Sequence, residues 1–378
     1  MPVVASETND IAPRRLFMAL SAQRGFLFDT RESTVVENHY TSLDFRVGWQ
    51  TDDYRRNIYE SLFRYPQYGI GFYFGQMNSI VIGNDQQQGL GMPVALYGFF
   101  ASPIIRNEWF RFNYDFSVGI ADNFNTYDWQ DRPYNVFVST KKNIYINLSL
   151  TTSFAIFERS ALNLGVSLQH FSNTSLKKPN TGVNLLSGTL SYQAGFFKHN
   201  EKNYSRISLE PHKKTWELQF SWANGVRRLD ADFNFNQPNE SKIWYSTSLS
   251  TAILRQTSHR RKFGAGFDVF YFDWGRYVKE ERMKAQNIKE NSTLSDNMAL
   301  GVFLTHEVFF NKFGIVTNLG FYTHERIGDR PKNLWIYERL GIFYQVNSNI
   351  SFVASIKAHL LIADYAELTA RYSINLKN

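Results

Sequence analysis

Residues 164–196 read LGVSLQHFSNTSLKKPNTGVNLLSGTLSYQAGF, and this stretch decides the fold class. Side chains on a β-strand alternate between its two faces. Leu164, Val166 and Leu168 share one face of the first predicted strand, and His170 and Ser172 extend that face. The apolar face of the second predicted strand carries Asn184, Leu186, Leu190, Tyr192, Ala194 and Phe196. A possible nucleophile and base therefore lie on the apolar side of a hairpin, which favours a lipid substrate.

The composition favours a membrane protein built from strands. The 378 residues include 16% aromatic residues and no cysteine, which excludes a disulfide framework and thiolate metal sites. Mean hydropathy is −0.36, and no apolar run is long enough for a membrane-spanning helix. A transmembrane β-barrel needs apolar residues only at alternate positions and carries aromatic girdles. A soluble β-sandwich is the competing interpretation, but its solvated positions normally carry more charge.

Sixteen segments show the strand alternation, an even number as in bacterial outer-membrane barrels. They are 15–28, 37–49, 66–76, 92–104, 107–121, 141–157, 160–172, 183–196, 214–224, 240–254, 261–273, 296–310, 313–323, 335–346, 349–360 and 366–376. Short and long links broadly alternate between them, and the link after 49 contains a possible short helix. The predicted fold class is an all-β, transmembrane antiparallel β-barrel of the outer-membrane type with about sixteen strands. Two eight-stranded halves are the alternative.

The chain is predicted to have three parts. Residues 1–13 lack an apolar signal core and are interpreted as a disordered leader or a signal remnant. Residues 14–197 form the first β-barrel segment, which contains the His170–Ser172 motif. Residues 198–378 form a second segment that is expected to complete a single barrel, because 198–213 does not read as a Gly/Ser-rich linker.

The formal net charge of +7 is attributed to an anionic lipid surface. No stripe of lysine and arginine interleaved with aromatics lies on one element, so nucleic acid is not a predicted partner. The expected partner is lipid, with the protein embedded in a membrane. The sequence does not determine the oligomeric state.

A short motif on this hairpin resembles a known family. His170-Phe171-Ser172-Asn173, followed by Pro179-Asn180-Thr181-Gly182, resembles the signature of the PagL-type lipid A 3-O-deacylases. These are outer-membrane β-barrels that remove an ester-linked acyl chain from lipopolysaccharide. The close match spans residues 170–184, and the strand layout extends it over residues 14–196. The resemblance implies a bacterial outer-membrane location and lipid A as substrate, with no metal or organic cofactor.

The resemblance also implies residue roles: Ser172 is the nucleophile and His170 its general base. A serine hydroxyl needs a neighbouring base to take its proton, and two residues two apart on a strand share a face. The family usually has a glutamate two residues after the glycine, where this chain has Asn184. An asparagine oxygen can orient an imidazole but cannot stabilise imidazolium with a full charge. An acid from another loop, Asp122 or Asp128, is the open alternative, and slower or absent activity is expected.

The loop between the two strands offers further candidates. Asn173, Asn180 or backbone N–H groups could donate to an oxyanion, although asparagines in turns often only build the loop. Gly182 is expected to allow a backbone conformation that other residues resist. Lys177 and Lys178 are candidates to meet lipid phosphates as point charges.

Two other functions compete with the ester hydrolase. One is a non-catalytic outer-membrane barrel, either a pore or a lipid-binding scaffold, and the other is a soluble β-sandwich binding module. Charged residues on the polar faces of the last two strands are interpreted as a structural ion-pair network rather than a second site. They are Lys357, His359, Glu367 and Arg371.

Overall fold

The computed structural model describes most of the chain as antiparallel strands. The described residues are 15–28, 35–51, 57–83, 89–107, 109–195, 210–229, 242–289, 291–325, 335–359 and 362–376. The predicted leader, residues 1–13, and most of the link between the two halves lie outside these ranges.

Eight strands of the first half close into a barrel, in which the first strand pairs with the last. These strands are β1 (Arg15–Leu27), β3 (Tyr40–Gln50), β4 (Gln67–Gln76), β6 (Gly91–Arg106), β7 (Phe110–Phe124), β8 (Asn143–Phe157), β9 (Ser160–Ser172) and β10 (Val183–Gly195). Two short strands, β2 (Val35–Asn38) and β5 (Ile80–Ile82), pair with each other outside the barrel. The predicted short helix is α1 (Ile58–Leu62), between β3 and β4.

Eight strands of the second half close a second barrel, joined by β11 and β18. The strands are β11 (Thr215–Arg227), β12 (Trp244–Ser258), β13 (Arg261–Phe272), β14 (Met298–Phe310), β15 (Phe313–Glu325), β16 (Ile336–Gln345), β17 (Ile350–His359) and β18 (Ile362–Leu376). Helix α2 (Gly275–Gln286) and a 3-10 helix (Leu294–Asn297) lie between β13 and β14. Among the described residues, no helix has the length and apolar character needed to cross a membrane.

The all-β barrel prediction is confirmed, but the favoured single barrel is corrected. The sixteen predicted segments match the sixteen barrel strands, which close as two sets of eight. Strand β1 pairs with β10, so the first half has no free edge left to join the second. A period-two pattern says which face a residue takes and not which strand pairs with which. The closed barrels also exclude the soluble sandwich, whose sheets keep free edges.

The outward-facing side chains of each barrel are mostly apolar. On β9 the outward residues Leu164, Val166 and Leu168 are exposed, whereas the inward residues Ser167 and Gln169 are buried. This outward band is the pattern expected where lipid replaces water around the wall.

Side chains fill the first barrel. Arg46 forms ion pairs with Asp44 and Asp115, and Tyr97 donates a hydrogen bond to Asp44. In the same interior, Tyr145 packs against buried Phe171, with ring centroids 5.0 Å apart. The cavity beside the ion pairs measures only about 60 Å³, room for about two waters. An eight-stranded interior is expected to be just filled in this way.

The second barrel is filled by buried charges. Arg339 contacts Asp268 and Glu367, each at 2.8 Å. Lys357, with no exposed surface, donates to Tyr322 Oη at 2.6 Å. Each cation has buried oxygen partners, as charges in a low-dielectric interior require. The cluster predicted on the last two strands therefore does point inward and takes part in ion pairs.

Contacts along the chain define two compact units. The first consists of residues 1–126, 140–172 and 182–209. The second consists of residues 210–378 together with two segments of the first half, Tyr127–Ser139 and Asn173–Thr181. The long link after β9 thus belongs to the same compact unit as β11–β18.

Candidate active site

The pairing of β9 with β10 brings His170 opposite Asn184. The imidazole Nδ1 of His170 lies 2.7 Å from Oδ1 of Asn184. An amide oxygen only accepts hydrogen bonds, so Nδ1 carries the proton and donates. Nε2 then keeps its lone pair and can act as a base.

Ser172 ends β9, two residues beyond His170 on the same face. That face is the outward one, because Leu164, Val166 and Leu168 precede it at even spacing. Ser172 is only 2% exposed and stands beside Ile144 of β8 in the strand pairing. Three predicted site residues, His170, Ser172 and Asn184, therefore lie at the same end of the first barrel, next to the link that joins β9 to β10.

Gly182 lies against the imidazole. Its φ of +80° falls in the left-handed region that favours glycine, as the sequence predicted. A Cβ at this position would come within 2.8 Å of Cε1 of His170. Any larger residue must therefore displace the ring or the backbone, which fits a site where the imidazole orientation matters.

The loop residue Asn173 serves the loop itself. Its Nδ2 donates to Ser139 Oγ at 3.1 Å and to the Lys177 carbonyl at 3.0 Å. Its backbone N–H donates to Oδ1 of Asn180 at 3.3 Å. Both amide hydrogens and the backbone donor are thus engaged, so loop-building accounts for Asn173, and Asn180 supports the same turn. The oxyanion role of Asn173 stays a prediction, and in this structure its amide hydrogens are engaged within the loop.

The two candidate phosphate ligands differ in access. Lys178 is 9% exposed, whereas Lys177 is half-buried. A cation that binds a lipid phosphate must reach the headgroup, so Lys177 is the better placed of the two.

The two alternative acids, Asp122 and Asp128, have partners in or beside the link between β7 and β8. Asp122 pairs with Lys142 and accepts the Asn123 N–H at 2.7 Å. Asp128 accepts the N–H groups of Asp131 and Gln130, and these bonds hold the pKa of its carboxyl below the usual range. Asn184 is therefore the observed partner of Nδ1 of His170.

A groove of about 730 Å³ runs along the outward face of the first barrel. Ala22 and Gly188 form its small-residue part, and its apolar lining includes Leu43, Leu164 and Leu190. Gly188 pairs with Val166, four residues before His170 on β9, a distance of about 13 Å along a strand. This groove was not predicted, although Ala22 and Gly188 are small residues on otherwise bulky apolar faces and so indicate it.

Comparisons with known families cover both barrels. Residues 43–193 match the family model described as lipid A 3-O-deacylase (PagL). Residues 215–376 match the model described as acyloxyacyl hydrolase, C-terminal domain. The resemblance predicted from residues 170–184 is thereby confirmed, and it extends to the second barrel. No curated protein matches the sequence.

Solved structures give weaker matches. The crystal structure of the outer membrane enzyme PagL is 16% identical and covers 47% of this chain and 98% of its own, with a TM-score of 0.30. A porin is 7% identical and covers 95% of this chain and 100% of its own, with a TM-score of 0.18. The Pseudomonas putida toluene transporter TodX is 9% identical and covers 96% of this chain and 90% of its own, with a TM-score of 0.17. At these scores they carry no argument about this chain.

Proposed function

Because its two barrels match the PagL family model and the C-terminal acyloxyacyl hydrolase domain, we propose that this chain is an outer-membrane hydrolase that removes an ester-linked acyl chain from lipid A. The observation that carries the proposal is the 2.7 Å contact between His170 Nδ1 and Asn184 Oδ1, on the face that Ser172 shares. The family and the apolar outer wall agree with the outer-membrane location predicted from the sequence.

In the first step, Oγ of Ser172 attacks the carbonyl carbon of the ester while Nε2 of His170 takes the hydroxyl proton. The carbonyl electron pair moves to its oxygen, which becomes an oxyanion. When the intermediate collapses, the bond between carbon and the lipid alcohol oxygen breaks, and His170 gives its proton to that oxygen. The acyl group remains bound to Ser172.

In the second step, water replaces the lipid alcohol. Nε2 of His170 takes a proton from the water as its oxygen attacks the acyl carbon. Collapse returns the proton to Oγ of Ser172 and releases the fatty acid. Asn184 orients the ring through both steps because its Oδ1 accepts a hydrogen bond from Nδ1–H. It supplies no charge to the imidazolium, so a slower reaction than with a carboxylate is expected.

The outward groove suits the acyl chain of such a substrate. It begins along the wall below the His170–Asn184 pair, and the surface that it exposes is mostly apolar. An acyl chain lying there would remain in the hydrocarbon of the membrane while its ester reaches Ser172. The substrate would then need no extraction from the leaflet, which would cost about 0.8 kcal/mol for each CH₂ transferred to water.

The test is mass spectrometry of lipid A from cells that express the wild type or Ser172→Ala at equal outer-membrane levels. Loss of one acyl mass with the wild type alone is expected. Ser167→Ala is the matched control, because Ser167 lies on β9 but faces inward. Identical lipid A from wild type and Ser172→Ala, with both proteins folded, would show that Ser172 does not deacylate lipid A.

The pore alternative finds no support in the described part of either barrel. Aromatic rings and the Arg46 ion pairs occupy the first interior, and the Arg339 and Lys357 clusters occupy the second. Steady ion conductance of the purified protein in planar bilayers would revive this alternative, whereas its absence fits the hydrolase.

A further inference from the structure

The loop that follows Ser172 is hydrogen-bonded to residues of the second half. Within the second compact unit, the backbone N–H of Arg228 donates to the Ser175 carbonyl at 2.8 Å. Nε of the same arginine donates to the Leu176 carbonyl at 3.0 Å. Ser175 Oγ donates to the Ala363 carbonyl at 3.3 Å. Arg228 follows the end of β11, and Ala363 lies at the start of β18. The loop therefore contacts the chain at or next to both of the strands that pair to close the second barrel.

These contacts fall where the loop backbone is unfavourable by itself. Thr174 has a φ of 53° and Ser175 a φ of 66°, in the left-handed region that residues other than glycine rarely adopt. Both residues are 1% exposed. Such a conformation persists only where surrounding contacts determine it, and it is least favourable for a β-branched residue such as Thr174.

The same loop is continuous with the nucleophile. Asn173 follows Ser172 directly, and its amide bonds to Lys177 O and Ser139 Oγ tie the start of the turn to the rest of the unit. Only three peptide bonds join Ser175 to Ser172, so a displacement of the turn at Ser175 also displaces Ser172. Reactions that need a nucleophile in place respond strongly to small displacements.

We propose that the second barrel positions Ser172, with Arg228 as the positioning residue that fixes the strained turn at Ser175 and Leu176. Arg228 has no part in bond making. The inference rests on the proposed function, because it assigns a role in the same site. In this role the second barrel contributes to catalysis without a catalytic centre of its own.

The first experiment measures the loop directly, in the full-length protein in detergent. Hydrogen–deuterium exchange of peptides spanning residues 173–181 is compared among wild type, Arg228→Ala and Ser175→Ala. Exchange is expected to be roughly two- to tenfold faster in both variants, the range that loss of one hydrogen bond produces. Arg276→Ala is the matched control, because Arg276 Nε bonds Ser292 instead of the loop, and its exchange in 173–181 should equal that of the wild type.

The second experiment separates positioning from general damage. Arg228→Ala is expected to lower kcat roughly tenfold while KM changes less than twofold, because the acyl groove is untouched. Arg228→Lys, which keeps a donor of similar reach, should recover part of the lost kcat. The control Arg276→Ala should retain the wild-type kcat.

The outcomes distinguish this inference from the proposed function. If exchange in 173–181 is the same in Arg228→Ala and wild type, the positioning role is overturned, whether or not the protein is active. If exchange rises but kcat of an active wild type is unaffected, the role is overturned as well. A wild type without deacylase activity refutes the proposed function, and with it the catalytic purpose assigned to Arg228.

Discussion

Asn184 lies opposite His170 in the pairing of β9 with β10, and its Oδ1 accepts a hydrogen bond from Nδ1–H of His170, with 2.7 Å between the two atoms. An amide therefore stands where the resemblance implies a glutamate. Asn184 can fix the tautomer of His170, as a glutamate would, but it carries no negative charge. In this chain the residue that orients the imidazole therefore does not also stabilise its positive charge.

Substitution of Asn184 tests these two contributions. Asn184→Ala removes the acceptor, and a fall in kcat of roughly ten- to hundredfold is expected, because the productive tautomer is no longer fixed. Asn184→Glu adds charge, and each 1.4 kcal/mol of imidazolium stabilisation would raise kcat about tenfold. Deacylation rates of purified protein check both variants. Equal rates for Asn184→Ala and wild type would mean that the contact has no catalytic role.

Gly182→Ala is expected to disturb His170. The added Cβ would lie 2.8 Å from Cε1 of the imidazole, at a backbone φ of +80°. Loss of kcat by roughly tenfold or more should follow from displacement of the base. Gly98→Ala is the control, because a Cβ built there would meet only the Gly69 carbonyl oxygen, at 3.9 Å, and Gly98 lies outside the groove. An active Gly182→Ala with normal kcat would show that the ring tolerates the shift.

Gly188→Phe is expected to change the preference for acyl chain length. The aromatic ring would project from the open position of Gly188 into the groove lined by Leu164 and Leu190. Long chains should lose roughly tenfold or more in kcat/KM, since removal of a few buried CH₂ contacts costs 1–3 kcal/mol. Short chains should react as before. Mass spectrometry of competing lipid substrates gives the ratio, and an unchanged ratio would place the acyl chain elsewhere.

Arg339→Met is expected to destabilise the second barrel. The substitution leaves Asp268 and Glu367 buried without their shared cation. Removal of one partner from a buried pair costs about 3–5 kcal/mol. Urea unfolding in detergent, followed by the gel mobility of the folded barrel, measures the change. Lys312→Met, at an exposed position in the turn between β14 and β15, should unfold within about 0.5 kcal/mol of the wild type.

A histidine pair outside the strands predicts acid sensitivity of the second unit. Burial, and then the nearby His259, lower the pKa of His212, whose ring lies 5.0 Å from that of His259. A histidine with a depressed folded-state pKa contributes stability at high pH and loses it as the pH falls below the unfolded value of about 6.5. The melting temperature should therefore fall more between pH 7 and pH 5 in wild type than in His212→Asn. Equal falls would contradict this prediction.

Alternation along the chain was enough to predict the barrel strands and their faces. In lipid, outward residues must be apolar and every backbone group must be paired, so alternation over sixteen segments favours a barrel. The sequence likewise predicted that His170 and Ser172 share one face, since both residues lie on one strand. Asn184 could be placed near them because a short strand-turn-strand connection limits where it can lie.

The tertiary structure decided what depends on pairing between distant segments. The closure of β1 on β10, and hence two barrels instead of one, is a choice among edges that present equivalent backbone groups. The bonds from Arg228 to Ser175 and Leu176 join residues more than fifty positions apart, and no local pattern encodes them. Local sequence thus determined which face each side chain takes, because side-chain direction follows from strand geometry. Long-range pairing determined its neighbours, because that choice depends on the packing of the whole chain.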